Sequence, residues 1–163
     1  MIKLGVIADS HRNEANIREA LRRLEDCALI IHLGDHDTDI DGFRLPETRL
    51  LSVPGNCDPF SFAPASRIFE REGVRVFMTH GDAYGVKYSL VRLRLKAQET
   101  GSALVLYGHS HQQRVDRDGN VVLLNPGALK NGDYSVVTLK DGRISWELIN
   151  LSDRSAAEGI KRR

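Results

Sequence analysis

The sequence predicts an α/β protein with a parallel sheet at the start of the chain and antiparallel hairpins towards its end. Three observations carry this. Strands and a helix alternate in the first third. Two Asp-Gly dipeptides lie between extended runs in the last third. Several apolar runs stop at a turn that holds Asp, Asn or His, usually beside a glycine. Alternating strand and helix favour parallel pairing, and Asp-Gly between extended runs signals a hairpin.

The elements follow in chain order. IKLGVIA (2–8) reads as a buried strand. Residues 14–25 carry Ile17, Ala20, Leu21 and Leu24, the spacing of an amphipathic helix. ALIIHLG (28–34) and LLSVPG (50–55) are the second and third strands, the last stopped by Pro54 and Gly55. Residues 66–81 read as a hairpin with Gly73 in its turn. Residues 89–101 have helical spacing, with Leu90, Leu93 and Ala97 on one face and Gly101 as C-cap. ALVLYG (103–108) is a strand again. Two hairpins follow, one turning at Asp118-Gly119 and the other at Asp141-Gly142. The last ten residues are polar and are expected to fray. There is no internal repeat, linker or low-complexity segment, so we expect one domain over 1–163, with 151–163 as a polar tail and with two sheets.

Composition excludes several classes. The chain has 163 residues, 41% hydrophobic and 28% charged, an ordinary globular balance. With 23 basic and 22 acidic residues the net charge is +1, which gives no electrostatic case for a nucleic-acid surface. No apolar run approaches the roughly 20 residues of a membrane helix. MIKLGVIADSH lacks the pattern of a secretory signal. Cys27 and Cys57 form no evident disulfide framework, so a cytoplasmic setting is expected. Homo-oligomerisation stays open.

The strand ends carry the chemistry. The first strand runs into Asp9-Ser10-His11, the second into Gly34-Asp35, and the third into Gly55-Asn56-Cys57-Asp58. Later strands reach His80-Gly81, Gly108-His109-Ser110-His111 and Asn125-Pro126-Gly127. Ligands of open α/β sheets sit at the carboxyl ends of the strands. Singly, each element is ordinary. Gly-Asp and Gly-Asn-x-Asp suit turns, and a lone His80 is commonly a satisfied semi-buried histidine. The recurrence points to metal, because four of the six histidines lie at these ends. Asp9, His11, Asp35, Asn56, His80, His109 and His111 are too many ligands for one ordinary ion and suit two. Mixed carboxylate, amide and imidazole donors favour Mn²⁺, Fe or Zn²⁺ over a pure oxygen site. One carboxylate must bridge if the ions sit roughly 3.5–4 Å apart, a spacing that acidifies a shared water for in-line displacement at phosphorus.

Asp9-x-His11, Gly34-Asp35, Gly55-Asn56-x-Asp58, His80-Gly81 and Gly108-His109-x-His111 together resemble the calcineurin-like metallophosphoesterase pattern, in order and spacing. The short chain, Gly-Asn-Cys-Asp and Asn-Pro-Gly look most like its small YfcE-like phosphodiesterase branch. The resemblance covers residues 1 to about 150. It implies a four-layer α/β/β/α sandwich of two mixed sheets flanked by helices. It also implies that Asp9, His11 and His111 hold one metal, that Asn56, His80 and His109 hold the other, and that Asp35 bridges. The expected cofactors are two divalent transition metal ions, Mn²⁺ first, with Fe, Zn²⁺ or Ni²⁺ as alternatives. The expected substrate is a small phosphate ester.

Three positions depart from the family pattern. Cys57 follows the motif asparagine where many members carry a proton-donating histidine. Asp82 follows Gly81 where close relatives often carry histidine. His36 and Asp37 follow Asp35. Cys57 and His36 are therefore the candidate proton donors, His36 reading equally well as a solvent-facing loop residue. His32, inside the second strand, reads as structural. Two other functions fit the resemblance: a phosphomonoesterase or nucleotide hydrolase on the same site, and a non-enzymatic scaffold like the related retromer subunit. The filled ligand positions favour the enzyme, and specificity is expected in loops 36–47, 58–66 and 82–90.

Overall fold

The computed structural model describes residues 1–43, 45–46 and 49–153. The predicted tail at 154–163, and Arg44 and Glu47 of the 36–47 loop, lie outside them.

The first strand, β1 (Ile2–Ile7), leads into α1 (Glu14–Arg23), β2 (Leu29–His32) and β3 (Leu50–Ser52). Next come β4 (Ser66–Arg71), β5 (Val74–Thr79), α2 (Val91–Thr100) and β6 (Leu104–Leu106). The chain then forms β7 (Arg114–Asp118), β8 (Val121–Asn125), β9 (Asp133–Lys140) and β10 (Arg143–Asn150). Two five-stranded sheets result, ordered β10-β9-β1-β2-β3 and β4-β5-β6-β8-β7. In the first, β1, β2 and β3 are parallel; in the second, β5, β6 and β8 are parallel. The remaining pairings are antiparallel, so both sheets are mixed.

Period-two alternation builds the layers. Leu4 and Val6 of β1, and Leu104 and Leu106 of β6, face one shared core between the sheets. Ile7 faces the other way, towards Ile17 and Ala20 of α1 and Leu24 at its C-cap. Val105 and Tyr107 face away from the shared core, towards Leu93 and Ala97 of α2. Each helix thus covers the outer face of one sheet, giving the α/β/β/α sandwich. Asn13 caps α1 by accepting from the Asn16 N–H at 3.1 Å. Glu14 opens the helix and Arg22 and Arg23 close it, matching its dipole. Gly101 ends α2 in the left-handed region.

Three hairpins close with two-residue loops. Glu72-Gly73 and Asp141-Gly142 have positive φ at both positions, the geometry that suits strand twist. The hairpin predicted to turn at Asp118-Gly119 is shifted by one residue. Asp118 pairs with Val121, so Gly119-Asn120 form the loop. The expected loop after Asp35 contains a 3₁₀ segment, Asp37–Phe43. No helix among the described residues is long and apolar enough to cross a membrane.

Candidate metal centre

Parallel strands bring their carboxyl ends to one edge. The first sheet delivers Asp9, Asp35 and Asn56 beyond β1, β2 and β3; the second delivers His80 and His109 beyond β5 and β6. The intervening turns are sharp. Asp9, His11, Asp35, His109 and His111 all have positive φ, between 44° and 70°. Such strain persists only where the surroundings fix it, and it clusters at functional sites. Gly34 and Gly55 let two loops touch. A Cβ on Gly34 would lie 2.6 Å from the Gly55 nitrogen, and one on Gly55 would overlap the Asp35 carboxylate.

The seven predicted residues converge. Donor atoms of Asp9, His11, Asp35 and His111 form one group close enough to share an ion, and those of Asp35, His80 and His109 form another. Asp35 belongs to both. In the first group, His111 Nε2 is 3.3 Å from Asp9 Oδ1, and His11 Nε2 is 3.9 Å from it. In the second, His80 Nε2 lies 3.1 Å from Asn56 Oδ1, 3.2 Å from His109 Nδ1 and 3.4 Å from Asp35 Oδ2. Asn56 thus joins the second group.

Backbone groups aim these donors. The Leu33 carbonyl lies 2.7 Å from His80 Nδ1 and can only accept, so Nδ1 carries a proton and a neutral His80 leaves Nε2 free to ligate. The Cys57 N–H donates to Asp35 Oδ1 at 2.9 Å, and the His109 N–H to Asp9 Oδ2 at 3.2 Å. Asn125, fully buried, donates to the Gly108 carbonyl at 3.1 Å and to Ser110 Oγ at 3.0 Å, pinning the turn between the two histidines.

His32 is structural. It accepts from the Gly34 N–H at Nδ1, so its neutral ring donates from Nε2 to Ser10 Oγ at 2.9 Å. Ser10 donates onward to Asp39, which also accepts the Arg12 N–H at 2.7 Å. This buried chain underpins the Asp9-Ser10-His11 turn, and the part played by Ser10 and Asp39 escaped sequence reasoning because nothing local marks it. Burial holds His32 down to about 4.

The electrostatics fit a cation. Asp9 Oδ1 and His11 Nε2 are buried and have no hydrogen-bond partner. Burial, with the Asp35 charge adding to it, pushes Asp9 up to about 7. Burial alone would raise Asp35 too, but His80 and the Cys57 N–H hold it well below the usual carboxylate range. Burial lowers His11, His109 and His111, the last to about 4. The Lys130 charge adds to this at His11 and His111, and the Lys87 charge at His109 and His111. The two lysines went unremarked in the sequence; both are exposed near the cluster.

Cys57 and His36 lie apart. The exposed Cys57 thiol neighbours Asn56 Nδ2 at 3.7 Å, and burial followed by the Asp35 charge pushes it up. The half-buried His36 ring meets His11 edge-on, with centroids 5.2 Å apart. Asp58 points elsewhere, accepting N–H bonds from Gly55 and His36 and fixing the loop. Asp82 is exposed.

Residues 2–141 match the calcineurin-like phosphoesterase superfamily domain. The chain belongs to this superfamily. A probable metallophosphoesterase of Methanothermobacter thermautotrophicus is 36% identical over 135 residues, covering 77% of this chain and 76% of that protein. The probable metallophosphoesterase YsnB of Bacillus subtilis is 26% identical, covering 83% of each. The phosphodiesterase MJ0936 of Methanocaldococcus jannaschii is 24% identical over 77% of this chain and 83% of its own. The fold also matches zinc-complexed wild-type Vps29 from Entamoeba histolytica, with TM-score 0.73, 16% identity and 94% of each chain covered. The superfamily's phosphoesterase chemistry and the clustered donors agree on divalent metal binding.

Proposed function

We propose that this protein is a phosphodiesterase that works with two divalent transition metal ions, Mn²⁺ first among them. Asp9, His11 and His111 would hold one ion, Asn56, His80 and His109 the other, and Asp35 both. The observation that carries this is the pair of donor groups sharing Asp35, with buried Asp9 Oδ1 and His11 Nε2 left unpartnered. When bound, such a pair acidifies a shared water and neutralises phosphate oxygens. The residues then divide the remaining work. The Leu33 carbonyl fixes the His80 tautomer, and the Cys57 N–H orients Asp35. Lys130 adds positive charge beside His11 and His111, where an anionic ester would approach. The Cys57 thiol, its proton held more tightly than usual, can give that proton to a leaving oxygen on the Asn56 side. His36 is the alternative donor, on the His11 side. Two unpaired cysteines suit the expected cytoplasmic setting.

Likeness to a phosphodiesterase supports a diester over a monoester. The test strips the protein with a chelator, reloads it with Mn²⁺, Ni²⁺ or Zn²⁺, and offers bis(4-nitrophenyl) phosphate and 4-nitrophenyl phosphate. Diester hydrolysis should vanish on stripping and return on loading. Full turnover after exhaustive metal removal would sink the two-metal reading. Faster monoester turnover would make the protein a phosphomonoesterase. Two bound ions with no ester hydrolysed would favour a scaffold role on this fold.

A further inference from the structure

Positive φ is costly for any residue but glycine, so each instance calls for a reason. Among the described residues, nine residues other than glycine have it. Asp9, His11, Asp35, His109 and His111 are candidate metal ligands, Glu72 and Asp141 turn hairpins, and His36 is a candidate proton donor. The ninth is Arg12, with φ 60°. It follows His11, and the Asn13 N–H donates to the Ser10 carbonyl at 3.0 Å, so His11 and Arg12 are the two central residues of a tight turn. Turns with positive φ at both central positions suit glycine, asparagine and aspartate. An arginine that only met solvent would gain nothing from such a place.

The Arg12 backbone is fixed while its charge is free. Its N–H donates to Asp39 at 2.7 Å, and its carbonyl accepts from the Glu14 N–H at 3.0 Å. The guanidinium makes no ion pair or hydrogen bond among the described residues. Arg12 lines a pocket of 370 Å³ with Ile17, Arg18, Asp39 and Phe43. Arg18 is committed there: it pairs with Glu14 at 3.1 Å and lies over the Phe43 ring, 5.3 Å from its centre. Asp39 is committed too, since it also accepts the Ser10 hydroxyl at 2.7 Å. One wall of the pocket is thus the support of the His11 turn, and Arg12 is the uncommitted cation on that wall. Across the turn, the Lys130 N–H donates to the Asp9 carbonyl at 3.2 Å, and the Lys130 charge is felt at His11 and His111. Both cations are therefore tethered by their backbones to the Asp9-Ser10-His11 turn. A guanidinium presents a fork that meets two phosphate oxygens at once, where an ammonium offers a point charge.

We propose that Arg12 is a substrate-binding residue whose guanidinium holds the anionic oxygens of the ester phosphate beside His11. The cost of its backbone conformation is then offset by a contact made only when substrate is present. The inference rests on the phosphodiesterase reading for its substrate, but phosphate binding and stability test it without turnover.

The test compares Arg12→Asn, Arg12→Lys and Arg18→Gln with the wild type. In metal-free protein, Arg12→Asn should not lower the urea midpoint, because asparagine suits the turn. In Mn²⁺-loaded protein, calorimetry should show inorganic phosphate binding to Arg12→Asn roughly tenfold more weakly, the effect of one hydrogen bond to a charged group. Arg12→Lys should fall between, and the metal content of both variants should match the wild type. Arg18→Gln removes an equal charge from the same pocket and should bind phosphate as the wild type does. With bis(4-nitrophenyl) phosphate, Arg12→Asn should raise KM by a similar factor with kcat little changed, the signature of a contact made equally in the bound and transition states. No phosphate binding in the wild type, an affinity unmoved by Arg12→Asn, or an equal loss in Arg18→Gln overturns Arg12 as a phosphate contact. A lower urea midpoint or lost metal in Arg12→Asn also overturns it, since the side chain would then serve the fold. Phosphate binding that depends on Arg12 without hydrolysis of any ester keeps the contact and overturns the phosphodiesterase.

Discussion

The two halves of the candidate metal centre are held in different ways. In the Asn56–His80–His109 half, His80 is 1% exposed and donates from Nδ1 to the Leu33 carbonyl, and its Nε2 can accept from His109 Nδ1 at 3.2 Å, so the half is tied together through its own groups. In the Asp9–His11–His111 half, Asp9 Oδ1 and His11 Nε2 have no partner, and support comes from beneath, through His32, Ser10 and Asp39. One half is organised before any ion arrives. The other leaves buried polar atoms unsatisfied, a cost that a bound cation would relieve.

The largest test removes what the halves share. Asp35→Asn should cut turnover roughly 10³-fold, the scale for losing a charge-stabilising group, and lower the metal content of both halves. His11→Ala should cost one ion only. If Asp35→Asn retains two ions and most of its activity, the halves do not share Asp35.

The next test probes the buried support. His32 has a folded pKa near 4, below its ordinary 6.5, so the unfolded chain takes up a proton first as pH falls. The stability from neutral His32 is full above about pH 6.5 and drains away towards pH 4, by about 3 kcal/mol in all. Urea midpoints of metal-free protein across this range should show the loss in the wild type and much less of it in His32→Gln. Equal pH slopes would remove His32 as the support.

A smaller contrast sets His80 against His11. His80→Ala empties a buried site and strands the Leu33 carbonyl, so metal-free stability should fall by about 2 kcal/mol. His11→Ala removes a partly exposed ring with no bond to lose, and should change it by less than about 0.5 kcal/mol. Equal losses would break the comparison.

The smallest effect concerns the leaving group. Alkyl esters need a proton as the P–O bond breaks, whereas aryl esters depart without one. Cys57→His should raise the alkyl rate roughly tenfold, at the low end of general-acid help, and leave the aryl rate near its starting value. An unmoved ratio would leave Cys57 as a small residue beside Asn56 and shift attention to His36.

The sequence by itself determined the strands, the two main helices and the family, because local patterns write them directly. Continuous apolar runs marked the strands, Ile17 to Leu24 marked α1, Gly101 marked the end of α2, and five spaced motifs carried the superfamily. Even the turn of the β7–β8 hairpin was missed by only one residue, since Asp118 can end a strand as readily as begin a turn. Tertiary structure alone decided how β5 and β6 pair in parallel and how two sheets meet on one edge. It also decided which donors are left unpartnered. That His32 feeds Ser10, that Asn125 pins the Gly108 turn, and that Lys87 and Lys130 bring their charges to bear on His11, His109 and His111 depends on contacts between residues far apart in the chain. Such contacts leave no period or spacing to read; they arise only when packing brings the distant side chains into hydrogen-bonding or Coulombic range.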